Sequence, residues 1–308
     1  MSSTVSFENM TLPVFLGNLI NWALLGVLAV QLGIYYWAFP NDRPPSKVLV
    51  AAVALLEILA TLTSTRDAVR IFGISWGNPD ILNDIGWSWV STPVVGSIIG
   101  AIGQIFFGWR IHVISHSYWI PGLIVAVSMV SMAGGIWTGV ELSEARVFSG
   151  LHGSDVKPTI IWLAATSLCD LIIGASTVFY FLRARTSGFG STNTRILQIV
   201  KLTVETGSIC AVLALIDLFL FVAYQETSYH LFICILLSKA YSNSILVILN
   251  SRASIGHVPI TEICYAASEL VFNSSTRSRQ VPIHLGRGTV ASTRSVLNGN
   301  DHEPKSNV

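Results

Sequence analysis

Along this chain the apolar positions neither alternate nor recur once per helical turn; they run on, and short polar clusters break the runs. A hydrocarbon core about 30 Å thick is crossed by about 20 apolar residues in helical form. Seven runs reach that length, at 14–38, 47–69, 90–112, 119–141, 160–182, 201–223 and 230–250. The pattern therefore predicts an all-α integral membrane protein, a seven-transmembrane-helix bundle. The breaks have turn chemistry: "FPNDRPPSK" follows the first run, "SHSYWIP" precedes the fourth and "TSGFGSTNT" precedes the sixth. The second run is the least clean. It turns polar at Thr63 and then carries Arg66, Asp67 and Arg70, which reads as one long helix whose outer end reaches the headgroups, with the turn "GNPDILND" after it.

Two domains follow: residues 1–253 as the transmembrane domain, and 254–308 as a flexible tail that opens with the short amphipathic stretch "ITEICYAASELVF". The first run lacks a basic leader and a small-residue cleavage site, so it is expected to remain as a span. Basic residues in short loops set orientation. Arg43, Lys47, Arg110, Arg183, Arg185, Arg195, Lys201 and Arg252 fall on one side, against Arg66, Arg70, Arg146 and Lys157 on the other. That asymmetry predicts an amino terminus outside and a cytoplasmic carboxyl tail. Asn9, in the sequon "NMT", is then a glycosylation candidate, and the second sequon, at Asn273, is on the cytoplasmic side.

Composition agrees with lipid as the solvent. Charged residues make up 11% and hydrophobic ones 52%, where a soluble domain carries about 25% charged residues. The net charge of +1 and the lack of a basic run give no nucleic-acid footprint. Cys169, Cys210 and Cys234 lie inside apolar runs and Cys264 in the tail, so no disulfide framework is implied. Trp22, Trp37, Trp87, Trp89 and Trp119 lie near the predicted interfaces, as belt anchors do.

Charges within the runs are the informative exceptions. Lys239 lies near the middle of span seven, about 14 Å from the outer boundary at about 1.5 Å per residue. Asp170 and Glu57 fall at the same level, Asp217 about 5 Å further out, and Glu205 about 10 Å away and better placed for Lys201 one turn earlier. Helical spacing sorts the polar residues into stripes: Lys239, Ser242, Asn243 and Asn250 on span seven; Thr166, Ser167, Asp170, Gly174 and Thr177 on span five; Glu57, Thr61 and Ser64 on span two. Charges at such depth cost about 2.5–3.5 kcal/mol each on insertion scales, so they face the bundle and pair. Lys239 with an acid is then either a pair that fixes helix register or the centre of a ligand, ion or proton site. Gly96, Gly100 and Gly103, and Gly135 with Gly139, have the small-residue spacing that lets helices approach closely, within the bundle or across a dimer.

Familiar activities fit poorly. A lysine in the seventh helix raises a retinal Schiff base, and "SWVSTP" is faintly similar to the third helix of microbial rhodopsins. Yet the expected acids are Ser88 and Ile235 here. Class A G-protein-coupled receptors end helix three with acid-Arg-aromatic, where this chain has "GWRIH", and their helix-seven proline is absent. His112 and His116 are four apart, but the other histidines, including His230, are single and scattered, so neither a metal nor a cofactor is expected. No phosphate loop and no paired catalytic acids at a water-accessible face occur, which leaves an enzyme unsupported. Nor is there an internal repeat of the kind many carriers show.

"QIFFGWRIHVIS", "LTVETGSICAVLALIDLFLF" and "LLSKAYSNSILVILNSR" resemble the signature segments of an uncharacterised seven-transmembrane domain-of-unknown-function family of mushroom-forming fungi, and "LLEILATL" and "GNPDIL" fit its second span and following turn. The resemblance covers 12 to about 253. It implies the seven-span topology and a fungal membrane, and it supplies no substrate or partner. The charged "STRDAVR" departs from the pattern. Three functions remain. The first is a receptor-like sensor with a polar mid-membrane site of Lys239, Asp170, Asp217, Glu57, Asn243, Ser242 and Glu205, and a cytoplasmic partner at the loop with Arg183, Arg185 and Arg195. The alternatives are a proton- or ion-coupled transporter or channel, and a structural scaffold. Plasma and internal membranes are equally compatible.

Overall fold

A computed structural model describes residues 7–74, 86, 87, 89–145, 157–186, 194–224 and 229–255. The chain divides into two units, Met1–Ile263 and Cys264–Val308; the second, the Asn273 sequon and the "GNPDILND" turn lie outside the described residues. The first holds seven long helices: α1 (Phe7–Ala38), α2 (Pro44–Val69), α3 (Gly96–Ser115), α4 (Trp119–Ala145), α5 (Lys157–Thr186), α6 (Thr194–Ala223) and α7 (Tyr229–Ile255). Seven are long and apolar enough to cross a membrane. The protein is thus an all-α, multi-pass integral membrane protein. Helix α1 begins at Phe7, which places the Asn9 sequon in its first turn, and α7 continues to Ile255, two residues into the expected tail.

The helices form where water cannot serve the backbone: in hydrocarbon every N–H and C=O has to be satisfied internally. Their sides are inverted relative to a soluble bundle. Val30, Leu55, Leu168 and Phe219 are exposed, whereas Glu57, Gln104, Asp170, Asp217, Lys239 and Ser242 are buried. Consecutive helices pack side by side and α7 returns to α1, closing a ring, while α3 packs on both α5 and α7 and is the most enclosed span. Phe107, Ile99, Tyr241, Ile245 and Leu246 make the apolar centre of this inner pair.

The second span is one long helix, as expected, and its charged end also makes contacts of its own. Helical structure continues through a π-helical turn, Arg70–Ile74. Its hydroxyls donate to the helix's own carbonyls, Thr61 to Glu57, Thr63 to Leu59 and Thr65 to Thr61 at 2.7–2.9 Å, so "TLTST" stays helical without water. Asp67 is buried and accepts the Trp87 N–H through both oxygens, at 3.1 and 2.9 Å, while Arg66 lies over the Trp87 ring. Gly86 beside it has φ +59, and a Cβ there would stand 2.7 Å from Asp67 Oδ1, so the turn needs glycine twice over. The polar letters that blur this span in sequence are its fastening to α3. A second π-helical turn, Val90–Val95, leads into α3 around Pro93.

At the opposite end of the bundle Arg252 closes α7 onto the α1–α2 connection. Its Nη2 lies 2.6 Å from Asp42 Oδ2, Tyr35 donates its hydroxyl to the same oxygen at 2.8 Å, and the guanidinium covers the Phe39 ring. His112 and His116 do not form a ligand pair: His116 takes a left-handed conformation that caps α3, and the His112 ring meets the Ser117 carbonyl and the Tyr118 ring. Trp22, Trp37 and Trp119 are exposed on the bundle surface, as interface anchors require.

Two stability tests follow from this packing. A Cβ at Gly103 would sit 2.8 Å from the Tyr241 ring, whereas nothing lies within 4 Å of one at Gly26. Gly103→Val should destabilise the protein by about 1–3 kcal/mol through overpacking, and Gly26→Val should not; equal melting temperatures in detergent would contradict this packing. The Arg252 hydrogen bonds, and after them that of Tyr35, hold the Asp42 carboxyl at about 2 against its ordinary 3.8, with burial opposing. The folded value is the lower one, so this contribution is complete above 3.8 and is lost as pH falls towards about 2. Acid titration of stability should show that segment in the wild type and a flatter one in Asp42→Asn.

Candidate functional site

Residues two apart on a helix point about 200° from one another. Lys239 and Tyr241 therefore face opposite sides of α7, and the bundle's buried polar groups divide into separate networks around them. Lys239 turns to α1 and α2; Tyr241 turns to α3 and α5.

On the first side the Lys239 ammonium lies 2.7 Å from Glu57 Oε2, with the two side chains 1% and 0% exposed. It also donates to Thr61 Oγ1 at 3.0 Å. The other Glu57 oxygen accepts from Ser242 at 2.5 Å and from Ser238 at 3.1 Å, one helical turn apart on α7. Both charges thus keep polar partners in place of water, the condition under which a buried pair is tolerable. Asn243 extends the network towards α1: it donates to the Lys239 carbonyl at 2.9 Å and accepts from Gln31 at 3.3 Å. Asn250 donates to the Gln31 carbonyl at 2.9 Å. The stripe expected on span seven therefore faces α1 and α2.

On the second side Asp170 meets no cation among the described residues. Its carboxylate accepts the Tyr241 hydroxyl in a short contact and the Gln104 amide at 3.2 Å. Thr166, one turn earlier on α5, is 2.6 Å from Ser131 of α4, and Ser167 donates to the Ala214 carbonyl of α6 at 2.9 Å. Glu205 lies apart from all of this. It is 54% exposed on α6 and 3.6 Å from Lys201, the one-turn pair its spacing indicates.

Asp217 belongs to a third cluster. Cys234 Sγ donates to Asp217 Oδ2 at 3.0 Å and lies 4.0 Å from His230 Nδ1. One potential ligand atom from each of the three falls within 4.8 Å of the others, and this is the group of metal-capable donors found among the described residues. Sequence reading treats His230 as single and Cys234 as a buried thiol. Their separation of four, one turn of one helix, is the available signal; the approach of Asp217 is tertiary. Asn21 and Gln31 of α1, Gln104 and Tyr241 are also missed, although three of the four are amides standing in apolar runs.

Two small cavities, about 20 Å³ each, adjoin these clusters. One reaches Lys239, Glu57 and Asn21; the other reaches Asp217, Tyr241 and Thr166; Thr92, Gly96, Cys234 and Ser238 line both. Each has room for about one water molecule. Asn21 Nδ2 is buried with no acceptor among the described residues, so the first cavity carries a spare donor next to Lys239. The connection between α5 and α6 over 187–193 and the side chains of Arg185 and Arg195 lie outside the described residues.

The model of a family of unknown function, DUF6534, matches residues 166–254. That segment runs from Thr166 on α5 through α7 and contains Asp170, Asp217 and Lys239, while Glu57 and Thr61 lie before it. The match is shorter than the 12–253 over which the signature segments are spread, and it attaches no group of organisms and no activity. Neither the curated proteins nor the solved structures contain a match to the chain.

Removing one partner of a desolvated pair strands the other charge. Lys239→Met should cost about 3–5 kcal/mol of stability, and the double variant Lys239→Met/Glu57→Gln should recover a large part of it. Unfolding of the four proteins of this cycle in detergent measures the coupling; additive losses would show that the two groups do not depend on one another.

Proposed function

We propose that the protein is a receptor-like sensor in which Lys239 reads a small anionic or carbonyl-bearing ligand. The observation that carries this reading is the buried Lys239–Glu57 pair beside a cavity where Asn21 offers a spare N–H. A ligand oxygen that takes the ammonium has to displace Glu57. Because Glu57 stands on α2 and Lys239 on α7, that exchange releases one helix from the other, which is a differential contact of the kind a two-state switch needs. The cavity is too small for an organic ligand when the pair is closed, so binding selects a state in which α2 and α7 separate. With the amino terminus outside, the ligand enters from the external face, and the loop with Arg183, Arg185 and Arg195 meets a cytoplasmic partner. Extension of the family likeness to the first four spans, and a fungal membrane, belong to the same reading.

A second reading, a proton- or ion-coupled transporter or channel, draws support from Asp170, which is buried against Tyr241 and Gln104 and meets no cation among the described residues. The two readings separate experimentally. Protein in nanodiscs is screened by thermal shift against short carboxylates and aldehydes, with borohydride trapping of any lysine adduct. The sensor reading expects a stabilising member of the panel whose effect disappears in Lys239→Met; a panel that leaves the wild type unmoved, or moves Lys239→Met equally, sinks it. A pH-driven flux in proteoliposomes that Asp170→Asn abolishes transfers the assignment to the carrier.

A further inference from the structure

We propose that Asp217, His230 and Cys234 form a divalent transition-metal site of the zinc class that clips α6 to α7. His230 and Cys234 lie one turn apart on α7, so both side chains leave the helix on the same face, and Asp217 approaches from α6. Tetrahedral coordination with bonds of about 2.0–2.3 Å sets ligand atoms about 3.3–3.6 Å apart. The carboxylate and thiol stand at 3.0 Å, the thiol and imidazole at 4.0 Å, and all three ligand atoms lie within 4.8 Å. Small rotations of side chains complete the geometry without moving either helix.

Charge supplies the second argument. Asp217 is 1% exposed, and its Oδ1 has no hydrogen-bond partner among the described residues. A thiol-to-carboxylate hydrogen bond, the plainer account of this contact, serves only Oδ2 and brings no positive charge. A divalent ion answers both needs. One carboxylate and one thiolate sum with it to zero, a neutral unit in a low-dielectric interior, as the Lys239–Glu57 pair is. On binding, the Cys234 Sγ–H bond breaks, an Sγ–metal bond forms, and the proton leaves to solvent; metals deprotonate coordinating thiols in this way.

The surroundings select the class of ion. One oxygen, one nitrogen and one sulfur are a borderline-soft set, suited to zinc and its neighbours and unsuited to calcium or magnesium, which require oxygen cages. Trp162 and Leu163, with Leu218 and Phe221, surround Cys234 with apolar contacts, and the Phe221 ring stands edge-on to His230. The cavity lined by Asp217 and Cys234 leaves the fourth position for a water molecule.

The test uses the full chain in nanodiscs, stripped with chelator and reloaded with Zn²⁺ or, for spectroscopy, Co²⁺. The site predicts about one tightly held Zn²⁺ per chain and, in the Co²⁺ form, a thiolate-to-metal charge-transfer band. Cys234→Ser should abolish the band, and Asp217→Asn and His230→Gln should each weaken Zn²⁺ binding by about tenfold or more. The double variant His112→Ala/His116→Ala should keep both signals, which separates this site from the histidines at the end of α3. A wild-type Co²⁺ spectrum without the charge-transfer band overturns the proposal whether or not the variants fold, as does Zn²⁺ binding that Cys234→Ser leaves unchanged.

Discussion

Removing an ammonium from water costs several kcal/mol, and hydrocarbon returns none of it. The position of Lys239 in the middle of α7 therefore constrains the bundle around it. Glu57 has to approach within 2.7 Å from α2, Ser238 and Ser242 have to present hydroxyls on the same face, and Thr61 has to stand one turn from Glu57 with its oxygen free for the ammonium. Helix association in lipid lacks the hydrophobic drive that assembles soluble bundles, so directional contacts of this kind contribute to setting which helices adjoin and in what register. The small residues serve the same end. Gly103 lets Tyr241 lie against α3, and Gly135 and Gly139 admit the π-helical turn that leads α3 into the membrane.

The seven spans were legible because their signal is length, and length in lipid has a physical minimum. Their ends were less so. The charged end of α2 reads as a helix end that reaches the headgroups; that its Asp67 also accepts the distant Trp87 N–H leaves no mark in the sequence. The acids were partly legible too. Depth alone put Glu57 and Asp170 level with Lys239; the 200° between Lys239 and Tyr241 is what divides them, but it can be used only once the neighbours of each face of α7 are known. Glu205 with Lys201 needed no such knowledge, being local to one helix. Gln104 and Tyr241 carry no charge and so stand out little in an apolar run, yet the buried Asp170 carboxylate depends on them as its neutral donors.

The same division explains how one helix serves three clusters. Cys234 and Tyr241 are seven apart and point within about 20° of each other, so the metal-capable group and the Asp170 network lie along one side of α7, and the ion pair along the other. Ser238 stands between, lining both cavities. A shift of α7 along its axis, or a rotation about it, changes all three clusters together, whereas movement of α2 alone changes only the ion pair. That makes α7 the natural element for any coupling between them.

Charge accounting across the described spans then isolates one group. Glu205 is at the surface beside Lys201, and Glu57 is neutralised by Lys239. Asp170 has two neutral donors of ordinary strength in Tyr241 and Gln104. Asp217 has a single thiol, a weak donor, and a buried oxygen with no hydrogen-bond partner among the described residues. Of these four carboxylates it is the one whose surroundings are incomplete, and the groups nearest the gap, a thiol and an imidazole, are soft-metal ligands rather than further hydrogen-bond donors for a carboxylate. An interior built only to hold helices in register would be expected to place an amide or hydroxyl there, as it does beside Asp170.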